Sequence, residues 1–144
     1  MTTKKENNEI LSFFKAERKL SSLVLYYCVS TYPTNDEDLC LLEIREFVKN
    51  YSDKLLSFGF SGHHRGIAID IAALTLGARY FERHFTLDRT HKGTDHAASL
   101  EPVGMRKLVR DLNSVNSTLK LWSGKFSDDE NFQRKKHKKI NEIL

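Results

Sequence analysis

Apolar residues in this chain switch between two spacings. From Leu23 to Ser30 they run almost unbroken, and two short β-rich runs follow, Leu55 to Phe60 and Ala78 to Phe85. A continuous run such as the first fits a strand covered on both faces, as in parallel sheets. Between the runs the spacing is helical. Asp36 to Tyr51 carries Leu39, Leu42, Ile44, Phe47 and Val48, with acidic residues in its first turn to complement the helix dipole. Gly66 to Gly77 is almost wholly apolar and about three turns long. Glu6 to Lys19 sets Ile10, Leu11, Phe13, Phe14 and Ala16 among charges, and Glu101-Pro102 opens a helix running to about Trp122. The apolar face of that last helix is Val103, Leu108, Val109, Leu112, Val115 and Leu119. Strand, helix and strand joined by short links imply right-handed βαβ crossovers, hence three parallel strands with helices on one face.

Parallel strands open their C-terminal ends onto one edge, where ligands of α/β folds gather. The second and third runs both end there in polar clusters, Ser61-Gly62-His63-His64 and Glu82-Arg83-His84. Residues two apart share a face, so Ser61 goes with His63 and Glu82 with His84, and one site receives all four. A histidine at a strand end is ordinarily a hydrogen-bonded surface or core residue; the convergence of two on adjacent strands is what argues for chemistry. Two imidazoles with a carboxylate and a hydroxyl suit a divalent ion with open positions for substrate oxygens. Ser30 and Tyr32 face the same edge by parity, the alternative for Tyr32 being packing beside Pro33. His64, His91 and His96 read as loop residues, and Cys40 as a packing residue of the second helix. The polar loop Thr86 to Ser99 is long for an α/β joint, as substrate-binding loops often are.

With 144 residues the chain has room for one ordinary domain, well short of the roughly 250 residues of a (β/α)₈ barrel. The net charge of +4 comes from basic residues interleaved with acidic ones, which argues against a nucleic-acid surface and suits the attraction of small anions. The lysine run Arg134 to Lys139 is read as a solvated helix face. Cys28 and Cys40 lack CxxC spacing, so neither a disulfide framework nor a thiolate zinc site is indicated; a reducing, cytoplasmic setting fits. No run approaches the ~20 apolar residues of a membrane span, and the amino terminus lacks an apolar signal core.

Four blocks resemble the sialic acid synthases, the group that includes N-acetylneuraminate, legionaminic and pseudaminic acid synthases. They are Cys28-Val29-Ser30-Thr31-Tyr32-Pro33-Thr34; Phe60-Ser61-Gly62-His63-His64 with Gly66-Ile67-Ala68; Glu82-Arg83-His84-Phe85-Thr86-Leu87-Asp88; and Lys92-Gly93-Thr94-Asp95-His96-Ala97-Ala98-Ser99-Leu100-Glu101-Pro102. The resemblance spans about Ser22 to Trp122. It implies the last three βα units of a (β/α)₈ TIM barrel that condenses phosphoenolpyruvate with an N-acetylated sugar, N-acetylmannosamine or its phosphate, and releases phosphate. It implies that His63 and His84 are ligands of a divalent metal, manganese or magnesium. It further implies that Ser61 holds phosphoenolpyruvate, that Ser30 stands at a position occupied by asparagine in some members, and that Tyr32 and Asp95 bind sugar. Glu82 joins the two histidines as a candidate catalytic group. Family members carry five further barrel strands before this region, with lysine, glutamate and serine or threonine groups for phosphoenolpyruvate. Many also carry a C-terminal antifreeze-like domain, for which Lys125 to Leu144 is too short. The expectation is therefore a partial barrel over residues 1–122 and a charged, partly helical tail over 123–144. Self-association, or another chain bringing the remaining strands, would complete it. The alternatives are an inactive sugar-phosphate-binding module and an assembly fragment.

Overall fold

The computed structural model describes residues 2–138. Helix α1 (Lys4–Ala16) leads to β1 (Val24–Cys28), α2 (Leu42–Tyr51), β2 (Ser57–Gly62), α3 (Ala68–Thr75), β3 (Tyr80–Arg83), α4 (Pro102–Thr118) and α5 (Asp128–His137). The strands form a parallel sheet in the order β1-β2-β3. Its register sets Tyr26 opposite Gly59 and Gly59 opposite Tyr80, then Cys28 opposite Ser61 and Ser61 opposite Glu82. The three strands fall where the apolar runs place them, with ends shifted by a few residues. A further single bridge, Phe85 to Leu100, brings the polar loop back alongside β3.

Alternation of side chains makes the two faces unlike. One face is apolar: Phe60 packs with Leu39, Ile44, Ala73 and Ala78 beneath α2 and α3, and Phe58 packs with Leu55 and Leu11 of α1. Phe60 has no exposed surface, and burying a phenyl ring on this scale is worth about 2–3 kcal/mol. The other face carries Tyr26, Gly59 and Tyr80 in one row and Cys28, Ser61 and Glu82 in the next. No helix among the described residues covers it, and Tyr26 and Tyr80 remain 39% and 45% exposed. The Tyr26 ring lies over Gly59 so closely that a Cβ there would come within 2.5 Å of it.

Helix α3 ends in a Schellman motif, with Ala78 N–H donating to the Ala73 carbonyl and Gly77 N–H to that of Leu74. Gly77 holds φ at +116°, and Ala73 and Ala78 close the motif with an apolar contact inside the core. This is the turn that delivers β3 beside β2.

Three expectations change. The helix expected over Asp36 to Tyr51 is broken: a 3₁₀ turn at Asp36–Asp38 is followed by α2, and Cys40 sits in the break at φ +42°. Cys40 is exposed, and Leu39, 3% exposed, takes the packing role assigned to it. On α4 only Leu108 is buried, while Val103, Val109 and Leu119 are 57%, 51% and 43% exposed; the helix packs mainly against α3, and half of its apolar stripe faces solvent. The tail expectation is met by α5 as far as His137, and residues 139–144, with the end of the lysine run, lie outside the described residues.

Candidate functional site

The sheet edge gathers its polar groups by register. Ser61 and Glu82 are paired across β2 and β3 on the helix-free face, and the Ser61 hydroxyl donates to Glu82 Oε1 at 2.9 Å. One step beyond, where the strands end, the His63 and His84 rings meet edge to face with centroids 5.1 Å apart. Tyr32 comes over from the loop after β1 and lies 4.3 Å from the His63 ring and 5.5 Å from that of His84. It therefore packs on the histidines and not merely beside Pro33. Asp95 stands on the far side, its Oδ2 3.6 Å from His84 Nδ1, close enough for charge attraction and too long for a direct hydrogen bond. Ser30 reaches the site indirectly, its Oγ 3.4 Å from Cys28 Sγ, which is itself 4.0 Å from His63 Nδ1. Ser30, Tyr32, Ser61, His63, Glu82, His84 and Asp95 thus occupy one edge of one sheet.

The backbone around both imidazoles is tied down. His63 is 3% exposed, and its Nδ1–H donates to the Val29 carbonyl at 2.9 Å. That bond leaves Nε2 as the basic nitrogen, the arrangement that commonly orients a metal-ligating histidine. Thr34 N–H donates to the His63 carbonyl at 3.0 Å, while its hydroxyl binds the carbonyls of Thr31 and Val29. The loop after β1 is thereby stitched to the end of β2. On the other strand, the His84 carbonyl accepts from Leu100 N–H at 2.8 Å, and Thr86 N–H donates to the Leu100 carbonyl at 3.0 Å.

The loop from Thr86 to Ser99 is organised by its own polar groups. Asp88 accepts from the Thr90 hydroxyl and backbone N–H, both at 2.7 Å, and these bonds, with lesser help from His91 and His96, hold its carboxyl below the usual range. Ser99 donates to the Asp95 carbonyl and Arg89 to that of Ala97. His96, expected as a loop residue, sits in a 3₁₀ turn with Nδ1 2.8 Å from the Thr86 hydroxyl.

His64 lies in the loop after β2, as expected, but it is not a surface residue. It is fully buried on the helix side of the sheet, as is Asp70 of α3. Arg83 joins them: its guanidinium pairs with the Asp70 carboxylate, lies 3.1 Å from His64 Nε2, and donates to the carbonyls of His64 at 2.8 Å and Gly66 at 2.9 Å. Burial lowers the Arg83 pKa from its usual value, against the pull of Asp70 in the other direction. Three buried atoms of this group, His64 Nδ1, Asp70 Oδ1 and Arg83 Nε, have no hydrogen-bond partner among the described residues. A buried polar atom left this way costs about 1–3 kcal/mol. Sequence reading passed over Asp70 and Arg83, although a signal exists: Asp70 is the one charged residue in the apolar run from Gly66 to Gly77, and a carboxylate on a core helix needs a cation.

Residues 1–123 match the NeuB family. The chain belongs to that family. Among its relatives, the human N-acetylneuraminate-9-phosphate synthase is 49% identical over 92 residues, 64% of this chain and 25% of the human protein. The N,N'-diacetyllegionaminic acid synthase of Legionella pneumophila is 34% identical over 108 residues, 75% of this chain and 30% of the relative. The crystal structure of the N-acetylneuraminic acid synthetase of Leptospira borgpetersenii superposes with a TM-score of 0.77 at 30% identity, covering 99% of this chain and 48% of that one. The chain thus spans between a quarter and a half of the length of these NeuB-family relatives. Its parallel sheet and helices form part of an α/β barrel, and the helix-free face with Ser61 and Glu82 is the face that such a barrel turns inward.

Proposed function

We propose that this chain supplies one side of a nonulosonic acid synthase active site, in which phosphoenolpyruvate condenses with an N-acetylated sugar and phosphate is released. The observation that carries the reading is the meeting of His63 and His84 above the Ser61–Glu82 pair at the C-terminal edge of the sheet. Carbon three of phosphoenolpyruvate would bond to the aldehyde carbon of the open-chain sugar as the carbonyl π bond breaks and its oxygen takes up a proton. Water, losing a proton, would add to the electron-poor carbon two, and the bond from that carbon to the phosphate oxygen would break, leaving the keto group and inorganic phosphate.

The donor set fits a manganese or magnesium ion. His63 keeps Nε2 available because Nδ1 is spent on Val29, and His84 faces Asp95 through Nδ1. Among the described residues no group of three or more His, Cys, Asp and Glu side chains stands close enough to hold an ion unaided, so substrate oxygens or water would complete the shell. A divalent ion held there would act as a Lewis acid on the sugar carbonyl. Tyr32 packs against both imidazoles and restricts their rotation. On binding, the Ser61 hydroxyl would turn its proton from Glu82 to the enol carboxylate or phosphate, and the Glu82 carboxylate would take a proton from water. Asp95, half exposed on its loop, would receive sugar hydroxyls.

Manganese titration followed by electron paramagnetic resonance, with phosphoenolpyruvate present, tests this. Affinity is expected to fall at least tenfold in His63→Ala and in His84→Ala and to be unchanged in His91→Ala, whose ring is largely exposed. Equal affinity in all three variants overturns the metal assignment. A phosphate-release assay with N-acetylmannosamine or its phosphate separates turnover from binding: affinity without release makes the chain a binding module.

A further inference from the structure

We propose that Arg83 is a positioning residue that holds His63 opposite His84 from behind the sheet. It lies between Glu82 and His84 in sequence, yet by alternation it points to the opposite, helix-covered side. From there its fork grips the backbone carbonyls of His64 and Gly66, at 2.8 and 2.9 Å, while Asp70 of α3 anchors the same guanidinium. The segment it grips begins immediately after His63. The end of β2 is therefore fastened twice, by Thr34 from the β1 side through the His63 carbonyl and by Arg83 from the β3 side. Any displacement of Arg83 moves His84, its chain neighbour, together with the loop that carries His63. One side chain sets the spacing of both imidazoles.

The energetics favour placement over stability as its role. A buried ion pair contributes little against an apolar replacement of equal volume, and this group also leaves three buried polar atoms unpartnered. Two carbonyl bonds in a fixed fork are what a guanidinium offers and an ammonium does not.

The inference rests on His63 and His84 forming the site, and its test is arranged so that the two can fail separately. In metal-free protein labelled at histidine, the rings, 5.1 Å apart, give an inter-ring nuclear Overhauser effect. Arg83→Lys keeps a cation beside Asp70 but cannot span both carbonyls. The double variant Asp70→Asn with Arg83→Met removes the buried charges together. The expected result is a folded protein by thermal melt in which the inter-ring effect is weakened severalfold and manganese affinity falls at least tenfold. A folded Arg83→Lys protein with the inter-ring effect and the affinity both intact overturns the proposal. Should Arg83→Lys not fold, the double variant is read in the same way, and failure of both to fold assigns Arg83 to global stability, which also overturns it. Wild-type protein that binds no manganese defeats the proposed metal site, while the metal-free ring contact still decides the role of Arg83.

Discussion

At the scale of single residues, two positions tolerate only what they have. Gly59 lies under the Tyr26 ring, and a methyl group there would force the ring aside. Gly59→Ala is expected to cost about 1–3 kcal/mol, the range for adding a group to a filled space, and to lower the thermal midpoint by several degrees. Because the conflict is with one side chain, Tyr26→Ala combined with Gly59→Ala should recover part of the loss; a double variant no more stable than the sum of the singles would show that the strand backbone itself resists the substitution. His64 is the second such position. Although it follows His63 in sequence and looks equally available, it is buried against Phe60, Asp70 and Arg83. His64→Ala is therefore expected to lower stability by denaturant titration, which makes exposed His91, and not His64, the proper control for metal binding.

At the scale of elements, the joints decide more than the helices. Gly77 adopts a backbone angle of +116° and a Cβ there would come within 2.7 Å of Val48. Gly77→Ala meets both obstacles and is expected to destabilise by about 1–3 kcal/mol, with Val48→Ala relieving only the steric part. Chemical denaturation of the two singles and the double checks this. Helix α1 depends on its start: Thr3 and Glu6 form a capping box in which the Glu6 carboxylate accepts from the Thr3 backbone N–H and hydroxyl. These bonds lower the Glu6 pKa from its ordinary 4.5. A lowered folded pKa contributes stability that is present above the unfolded value and is lost as pH falls through the folded one. Amide exchange in the first turn of α1 should accelerate below about pH 4 relative to the middle of α3, and Thr3→Ala should abolish that difference. Acid-insensitive exchange in the wild type would show that the box does not hold the helix.

At the scale of the whole molecule, the sheet is covered on one side only. Tyr26 and Tyr80 stand half exposed on the inward face, and the stripe on α4 presents Val103 and Val109 to solvent. Parallel sheets are ordinarily covered on both faces, and exposed apolar surface of this kind marks contact sites. The chain is therefore expected to self-associate in sedimentation velocity, with a weight-average mass that rises with concentration, unless a chain carrying further barrel strands is added. A concentration-independent monomer would show that the open face is satisfied by water alone. No helix among the described residues is long and apolar enough to cross a membrane.

What residue order alone determined follows from short-range rules. The β-rich runs at Leu23–Ser30, Leu55–Phe60 and Ala78–Phe85 demanded strands, the short crossovers demanded parallel pairing, and period-two alternation put Ser61, His63, Glu82 and His84 toward one edge. Pro102 at the first turn of α4 marked its start for the same local reason, a fixed φ and no need of a donor. Other features depended on what lies across space. Cys40 breaks a helix that its neighbours' spacing favours, because Leu39 is drawn into the core beside Ile44 and Phe60. The apolar stripe of α4 has helical spacing, but half of it faces solvent, which spacing cannot register. His63 and His64 are adjacent and chemically identical, yet one turns to the open edge and the other into the core. Alternation already sends the two to opposite sides; what only the tertiary structure decides is that the helix side holds Asp70 and Arg83, residues 13 apart joined through one buried ion pair, because a buried charge takes its partner from across the fold and draws the nearest imidazole in with it.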